Sequence, residues 1–408
     1  MKYKSFFVAL TLIPLAIMLC SCNLCEIDDT INPPPRDLSI AEQKLVSADN
    51  VFGLKLFKAL HLAKPESNLF ISPLSVSMAL GMTLNGANGN TYEAMKTTLE
   101  LNGLSENEIN ESYKNLIDLL TNLDKEVIFN IANSIWYRNE FSVEQSFIDT
   151  NQEYFDAEVQ GLDFSNPSSL NIINNWVSEK TNGLIKNILD EQIPDYMVMY
   201  LINAIYFKGV WTGEFDKNET KTESFFNYNN TVSNISLMHQ DEDFLYAEND
   251  QFQSVDLMYG DSLFSMTIIL PKENIDINNL VQTIDSNFIP NHFVSTELNL
   301  YLPKFELEYK SSLNDVLKSM GMEIAFNTAL ADFTRINPDG NLFIDEVLHK
   351  TFIKVDEEGT EAAAVTSVGI GLTAMPETIY FRVDRPFVFL IRERHSGTIL
   401  FIGKVLEL

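Results

Sequence analysis

Apolar side chains recur every three or four positions in the early part of the chain, which is the spacing of one face of a helix. The stretch 40–62 has this spacing and predicts an amphipathic helix. A mostly apolar stretch over 73–84 predicts a second, largely buried helix, which the turn-forming sequence at 85–89 ends. Residues 105–122 repeat the helical spacing and predict a third helix.

Strand-like apolar runs dominate the rest of the chain. They cover residues 127–137, 197–207, 254–258, 263–270, 297–306 and 387–403. One helical stretch, 168–185, interrupts them, and the sequence has no repeat of fixed period. Helices followed by strands, without regular alternation of the two, predict an α+β domain with large mixed or antiparallel sheets.

The first residues have the pattern of a cleaved targeting segment. Lys2 and Lys4 precede an apolar run over 6–19, which is too short to remain as a membrane-spanning helix. The Leu-Cys-Ser-Cys sequence that follows resembles the lipobox of bacterial lipoproteins, in which the last cysteine receives lipid. We therefore predict a signal peptide over 1–21 and lipidation of Cys22. The protein would then be an outer-membrane lipoprotein that contacts the membrane only through its lipid anchor.

Residues 22–38 predict an extended tether rather than a folded element. The segment begins with acids and continues with three consecutive prolines, a composition typical of semi-rigid linkers. The sequence leaves open which side of the outer membrane the protein faces. The acids Glu26, Asp28 and Asp29 are a candidate surface-export signal. The folded domain is expected over 39–408.

Composition and charge narrow the range of partners. The chain has 408 residues, of which 45% are hydrophobic, enough to bury a large core. Its formal net charge of −29 argues against nucleic acid or anionic lipid surfaces as partners, because both select basic faces. All three cysteines, Cys20, Cys22 and Cys25, lie in the leader region, so disulfides within the body are excluded. The CxxC that Cys22 and Cys25 form lacks the second pair or βα context that a zinc or redox site needs.

Catalytic and metal-binding patterns are absent from the sequence. The five histidines do not form HExxH or another metal-ligand spacing, and no serine lies in a GxSxG motif. Residues 369–374 match the GxGxxA form of the dinucleotide fingerprint, but Pro376 and the β-rich sequence after it do not begin the helix that this motif requires. The sequence therefore predicts a protein that is not an enzyme and that uses no metal or cofactor.

Five blocks of the sequence resemble the serpin family. They are NLFISPLSVSMALGMTLNGANGNTYEAM (68–95), LINAIYFKGVWTGEFDKNETKTESFF (201–226), LYLPKFELEYKSSLNDVLKSMGM (300–322), VLHKTFIKVDEEGTEAAA (347–364) and DRPFVFLIRERHSGTILFIGKVLEL (384–408). The blocks lie in the family's order and span nearly the whole chain after the tether. The resemblance implies a single-domain α+β serpin fold with three β-sheets, eight or nine helices and an exposed reactive loop at about 357–380. It also implies a monomer whose partners are target serine proteases, held in a covalent complex.

The resemblance also assigns a gating role to residues under the main sheet and at the top of its opening. In serpins, a hydrogen-bonded cluster at this place holds two central strands that must part. The matching residues here are Ser72, Ser75, Asn203, His349, Gly209 and Trp211. For Trp211, ordinary core packing is an alternative interpretation that is compatible with this role.

The segment 356–376 has the pattern of a loop that can become a strand. From Thr360 the side chains alternate, one set being small and then increasingly apolar, the other small or solvent-tolerant. Strand registration requires such a period of two with one buried face, and an exposed Gly/Ala linker would not sort its residues in this way. The inward-facing set is Thr360, Ala362, Ala364, Thr366, Val368, Ile370 and Leu372. The hinge is predicted at Glu357, Gly359, Thr360, Glu361, Ala362, Ala363 and Ala364.

Counting along the loop predicts the reactive bond. Seventeen residues from Glu357, as in inhibitory serpins, place the bond between Thr373 and Ala374, with Leu372 as a neighbouring option. No lysine or arginine occurs over 355–381, which disfavours trypsin-type enzymes and favours elastase- or subtilisin-like ones. The predicted function is suicide-substrate inhibition of serine proteases, with cysteine proteases as a further target class. The alternative is a non-inhibitory serpin that acts as a binding or chaperone module.

Overall fold

The computed structural model of the protein describes residues 35–285, 288–290, 292–360 and 379–408. The predicted signal peptide, the lipidated Cys22 and most of the predicted tether lie outside the described residues, and so does most of the predicted reactive loop. Pro35–Leu408 forms one unit. None of the helices in the described part of the chain has the length and apolar character needed to cross a bilayer.

Eight α-helices are present in the described residues. They are α1 (Ile40–Ala63), α2 (Pro73–Leu84), α3 (Gly89–Thr98), α4 (Glu106–Thr121), α5 (Gln145–Phe155), α6 (Ser168–Lys180), α7 (Ile277–Gln282) and α8 (Asn314–Leu317). A π-helical turn, Lys318–Met322, and a 3-10 turn, Glu323–Phe326, follow α8. The start of α1 is fixed by a capping box, because the Ser39 hydroxyl accepts from the Glu42 amide while the Glu42 carboxylate accepts from the Ser39 amide.

The strands of the described residues form two hydrogen-bonded sheets. The larger contains β1 (Leu69–Ile71), β5 (Lys221–Phe226), β6 (Val232–Glu248), β7 (Phe252–Tyr259), β8 (Phe264–Pro271), β9 (Val294–Pro303), β13 (Ile379–Arg382), β14 (Phe387–Glu393) and β15 (Ile399–Val405). Its order is β1-β15-β14-β8-β7-β6-β9-β13, with β5 paired to β6. The long strand β6 joins two halves, since it pairs with β7 only over Leu245–Glu248. Counted separately, these two halves and the smaller sheet are the three sheets that the resemblance implies.

The smaller sheet, called the central sheet below, has six strands. They are β2 (Val127–Arg138), β3 (Ala157–Leu162), β4 (Met199–Val210), β10 (Phe305–Ser312), β11 (Leu348–Asp356) and β12 (Gly359–Thr360). Their order is β10-β11-β12-β4-β2-β3, and every neighbouring pair is antiparallel except β2 and β3. The two-residue strand β12 therefore lies between β11 and β4.

Two of the predicted strands are wrong because each proves to be two strands. The run 297–306 divides at Lys304 into β9 and β10, which belong to different sheets, and the run 387–403 is the antiparallel pair β14 and β15. Both members of the second pair are buried on both faces, and the polar stretch 392–398 marks the end of β14 and the turn that leads to β15. The prediction of an α+β fold is confirmed.

Helix α2 lies between the two sheets and is almost completely buried. It contacts β4 of the central sheet on one side and β15 of the larger sheet on the other. A second apolar cluster, which includes Trp136, Ile173 and Trp176, packs α6 and the segment 181–195 against β2, β3 and β4. The core therefore supports the central sheet from both faces.

Candidate functional site

The candidate site is the cleft between β4 and β11. Both strands pair antiparallel with β12, so they run parallel to each other on either side of it. Strand β12 consists of Gly359 and Thr360, and residues 361–378 lie outside the described part of the chain. Below β12, the facing edges of β4 and β11 form no ladder with each other or with another described strand. The first residues of the predicted hinge thus occupy the top of a cleft between two strands.

Glycine is required at two positions at the top of this cleft. Gly359 has a φ of +149°, and a Cβ there would overlap the carbonyl oxygen of Gly209 on β4. Gly209 in turn lies under the ring of Tyr259, where a Cβ would come within 2.7 Å of the ring. The two glycines allow β12, β4 and the ring to approach closely.

The side chain of Thr360 is fixed by a pair of stacked aromatic rings. Thr360 is 4% exposed, and its hydroxyl oxygen lies 2.7 Å from that of Tyr259. The Tyr259 ring stacks on Trp211 at a centroid distance of 4.4 Å, and the Trp211 indole N–H donates to the carbonyl of Asp356 at 3.0 Å. Burial raises the pKa of Tyr259 far above its usual value, so the phenol stays neutral. The two rings hold the start of β12 and the end of β11 together.

The carboxylate of Glu357 anchors the chain where it enters the cleft. Glu357 is buried and accepts from the Lys304 ammonium at 2.6 Å and from the Thr220 hydroxyl at 2.8 Å. Burial alone would raise the pKa of Glu357, but its hydrogen bonds, with that from Lys304 the strongest, and the charge of Lys304 lower the pKa overall. The neighbouring Glu358 forms an ion pair with Lys217. The turn before β12 is therefore fixed by two ion pairs, one of them with a buried carboxylate.

The N-terminal end of helix α2 lies beneath the sheet and contacts both edges of the cleft. The Ser72 amide donates to Nε2 of His349 on β11 at 3.0 Å. The Ser75 hydroxyl lies 3.5 Å from the carbonyl oxygen of Asn203 on β4, and the Asn203 amide donates to Asn133 at 2.8 Å. One helix end therefore bridges the two strands that the resemblance expects to part.

The polar groups at the middle of the cleft are neutral and only partly satisfied. Burial lowers the pKa of His349 to about 4, so its ring is neutral at physiological pH. Because Nε2 accepts from the Ser72 amide, the proton of this neutral ring is at Nδ1. On the opposite edge, the buried Oδ1 of Asn203 has no hydrogen-bond partner among the described residues. The cleft thus offers an unused acceptor at this level.

The lower end of the cleft leads into a cavity of about 440 Å³. Its walls are mainly apolar and come from both strand edges, from α2 and from the segment 341–347 that precedes β11. They include Val76, Leu80, Leu189, Met197, Met199, Leu201, Ile202, Ile336, Leu342, Val347 and Leu348. The cavity therefore suits a row of apolar side chains.

The structure brings most of the predicted site residues that it describes into one region. Ser72, Ser75, Asn203 and His349 lie at the middle of the cleft, and Gly209, Trp211, Glu357, Gly359 and Thr360 lie at its top. The remaining hinge residues and the predicted reactive bond, Glu361, Ala362, Ala363, Ala364, Leu372, Thr373 and Ala374, lie outside the described residues. Sequence reasoning missed Tyr259 and Lys304 as partners of the hinge. No local pattern links either residue to it, although Lys304 lies within one of the five blocks.

Comparison with known proteins identifies the family. A model of the serpin (serine protease inhibitor) family matches residues 47–408. An uncharacterized serpin-like protein of Thermococcus kodakarensis is 36% identical over 375 residues, which cover 90% of this chain and 86% of that protein. The chain belongs to the serpin family.

Solved structures agree with this assignment. The native state of Tengpin, a thermophilic serpin, is similar with a TM-score of 0.82 and 34% identity, over 92% of this chain and 96% of that one. Thyroxine-binding globulin in complex with thyroxine is similar with a TM-score of 0.80 and 27% identity, over 89% of this chain and 99% of that one. The predicted serpin fold is confirmed, and proteins of this family are in general protease inhibitors.

Proposed function

We propose that the protein is an inhibitory serpin that traps serine proteases as a suicide substrate. The observation that carries this proposal is the position of Gly359 and Thr360, which begin a middle strand between β11 and β4. The cleft edges below them have backbone groups suited to pairing with an inserted strand. A loop that continues β12 can therefore enter the sheet without first separating β4 from β11 at the top.

The chemistry requires one covalent step, which the protease supplies. Its serine oxygen attacks the carbonyl carbon of Thr373, and the bond to the nitrogen of Ala374 breaks. The new amine takes its proton from the protease histidine, and Thr373 stays bound to the serine as an ester. The loop is then free at one end and extends β12 down the cleft. The attached protease is carried along and deformed before water hydrolyses the ester.

The register of β12 supports the proposal at the middle of the cleft. Thr360 pairs with Gly209 on β4, and the ladder is antiparallel on both sides of β12. Continuing this register one residue at a time places Thr366 between Asn203 and His349. A Thr366 hydroxyl at this position can donate to the unused Oδ1 of Asn203. The inserted strand would thus satisfy the polar cluster that it passes.

The same register matches the apolar residues of the loop to the cavity. Val368 would lie opposite Leu201, and Ile370 opposite Met199, both of which line the cavity of about 440 Å³. Both loop residues belong to the inward-facing set predicted from the alternation. Their side chains would therefore replace empty space with apolar contact, which stabilises the inserted state.

The driving force can be estimated from the length of the unpaired edge. Below Gly209, β4 offers Met199–Lys208 to residues 361–370 of the loop. About ten new ladder bonds at ~1 kcal/mol net each give on the order of 10 kcal/mol, before apolar burial is added. The intact protein would accordingly be metastable and the cleaved protein much more stable.

A protease panel tests the proposal. The purified protein is incubated with elastase, subtilisin, chymotrypsin and trypsin, and detergent-stable complexes are sought by electrophoresis. We expect complexes with elastase- or subtilisin-like enzymes and a released C-terminal peptide that begins at Ala374. The matched variant Thr373→Arg should move complex formation to trypsin. Cleavage of the loop by all four enzymes without any stable complex would contradict the proposal.

A non-inhibitory binding module is the second candidate function. It is favoured by the similarity to thyroxine-binding globulin, which was solved with a bound hormone. The hinge argues against it, since Gly359, Thr360, Glu361 and Ala362–Ala364 are mostly small, whereas bulky or charged hinges are typical of non-inhibitory serpins. Cleavage that leaves both the protease active and the melting temperature unchanged would favour this second function.

We further propose that lipid on Cys22 attaches the protein to an outer membrane. A single acyl chain holds a protein only marginally, whereas a multiply acylated cysteine anchors it stably. Cys22→Ala should therefore release the protein from the membrane fraction, and Cys25→Ala should not. Equal membrane attachment of the two variants would show that the anchor is misassigned.

A further inference from the structure

Asp49 is a buried carboxyl group that the proposed inhibitory mechanism does not use. It lies on α1, is 2% exposed, and faces α2 and α4. The hydroxyl of Ser77 on α2 and that of Tyr113 on α4 both lie at hydrogen-bonding distance from Oδ1 of Asp49, the second at 3.0 Å. The two hydroxyl oxygens are themselves 2.6 Å apart. The three side chains form a closed triangle at the junction of three helices.

The number of protons in this triangle depends on the charge of Asp49. Three hydrogen bonds need three protons, and Ser77 and Tyr113 supply one each. With an ionised Asp49, both hydroxyl protons point to the carboxylate, and the 2.6 Å contact between Ser77 and Tyr113 has lone pairs on both sides. A protonated Asp49 supplies the third proton, so that each oxygen donates once and accepts once.

The surroundings of Asp49 do not compensate a negative charge. No lysine, arginine or histidine of the described residues pairs with it, and its Oδ2 is buried without a hydrogen-bond partner among them. On the far side of Tyr113, the ring of Phe155 on α5 packs against the Tyr113 ring at a centroid distance of 5.2 Å. Burial raises the pKa of Asp49 to about 7, although the hydrogen bonds from Ser77 and Tyr113 oppose this shift. Burial also raises the pKa of Tyr113 well above its usual value, so only Asp49 titrates near neutrality.

We propose that Asp49 is an uncharged, protonated acid in the folded protein and that its ionisation makes the α1–α2–α4 junction a pH-sensitive support for α2. Ser77 lies two residues after Ser75 on this helix, and Ser72 and Ser75 hold the two edges of the cleft. Ionisation replaces a closed set of hydrogen bonds with a buried charge and a repulsive oxygen contact. Helix α2 is then held less firmly beneath the cleft. The inference stands whether or not the protein inhibits proteases.

Equilibrium unfolding between pH 4 and pH 9 tests the inference, with the full chain compared with Asp49→Asn. The folded state keeps the proton up to about pH 7, whereas the unfolded chain loses it near pH 3.8. Stability from this group is therefore complete below the lower value and is lost as the pH rises to the higher one. Relative to Asp49→Asn, the folded-to-unfolded ratio of the wild type should fall by up to tenfold per pH unit between these values and then level off.

A matched control and a spectroscopic readout complete the design. Glu42→Gln removes another buried carboxyl group of α1. Burial raises the pKa of Glu42, but its hydrogen bonds lower the pKa overall, so the stability of this variant relative to the wild type should change with pH in the opposite direction.

Infrared difference spectra should show the carbonyl band of a protonated acid that disappears near pH 7 in the wild type. Parallel pH profiles for wild type and Asp49→Asn would overturn the inference. If Asp49→Asn does not fold, the absence of a band that titrates near pH 7 in the wild type would overturn it instead.

Discussion

The substitution Thr360→Arg tests whether the start of β12 controls insertion. Thr360 is 4% exposed and donates to or accepts from Tyr259, so its side chain points into the protein rather than to solvent. An arginine must place its guanidinium beside the stacked rings of Tyr259 and Trp211. The buried carboxylate of Glu357, three residues before Thr360, already pairs with Lys304. We expect the variant to be cleaved at the same bond as the wild type but to release the protease.

The magnitude follows from two contributions. Loss of the hydroxyl leaves the buried Tyr259 phenol without its partner, which costs about 1–3 kcal/mol. Burial of an unpaired charge costs several kcal/mol even after relaxation. Because Thr360 is already buried in the intact protein, we expect the arginine to keep residue 360 out of the cleft there, so that insertion must bury it at a cost of roughly 5 kcal/mol. If this cost is fully felt in the barrier, it lowers the ratio of trapping to release by several thousandfold, at ~1.4 kcal/mol per factor of ten.

The assay is the stoichiometry of inhibition, measured by titrating active protease with the inhibitor. The wild type should reach complete inhibition near one molecule per protease, and Thr360→Arg should be consumed as a substrate without inhibition. Thr360→Ser is the matched control, since it keeps the hydroxyl that contacts Tyr259 and should remain an inhibitor. One-to-one trapping by Thr360→Arg would refute the reasoning.

Three further predictions concern the cleft and its surroundings. Glu357→Gln removes the charged partner of Lys304 and so weakens the anchor of the chain at the top of the cleft. The uncleaved loop should then insert more readily, and inhibitory activity should be lost faster on incubation. Glu358→Gln, whose partner Lys217 is mostly exposed, should have a smaller effect. Gly359→Ala should reduce inhibition at least tenfold in progress curves, since a Cβ overlaps the carbonyl of Gly209. Gly397→Ala, which shares the strain of a positive φ but places its Cβ in open space, should reduce it far less. His349→Gln should remove part of the stability loss between about pH 6.5 and pH 4 in thermal melts. The folded-state pKa of His349 is lowered, so its stability contribution is present above pH 6.5 and is lost as the pH falls through about 4. If His349→Gln has the same pH profile as the wild type, the lowered pKa of His349 does not account for this loss of stability.

The helices with strong local signals were predicted well from sequence. The predicted helix over 73–84 coincides with α2, whose start is marked by a capping serine and a proline at its first position. The spacing over 40–62 gives α1 to within one residue. Helix α3 was missed because it begins at Gly89, inside a sequence that reads as a turn, and its apolar face is short.

Strands that are exposed on one face gave weaker signals. Strand β6 was missed although it has 17 residues, because Asp241, Glu242 and Asp243 interrupt its apolar pattern. These acids are exposed at the surface of the larger sheet, where burial does not constrain residue type. The order of the strands in the sheets could not be predicted from local apolar patterns either, because pairing joins strands that are distant along the chain.

The candidate site also combines local features, which the sequence shows, with contacts between distant residues, which it does not. The small residues around Gly359 and the alternation after Thr360 are local features, and they were sufficient to predict a hinge. The partners that hold this hinge are not local: Lys304 lies 53 residues before Glu357, and Tyr259 lies 101 residues before Thr360. Only the folded register of β12 against β4 and β11 brings them together and indicates which loop residue would meet which strand residue.

Disulfide trapping tests the central claim, insertion of the loop into the cleft, most directly. Cys20, Cys22 and Cys25 are replaced by serine, and the pair Leu201→Cys with Val368→Cys is introduced, because the register of β12 places these positions opposite each other. After the loop is cleaved, mild oxidation should link the pair almost completely. The control pair Ile202→Cys with Val368→Cys, which is one residue out of register, should not link. Failure of the in-register pair to cross-link after cleavage, or equal linking of both pairs, would contradict the account.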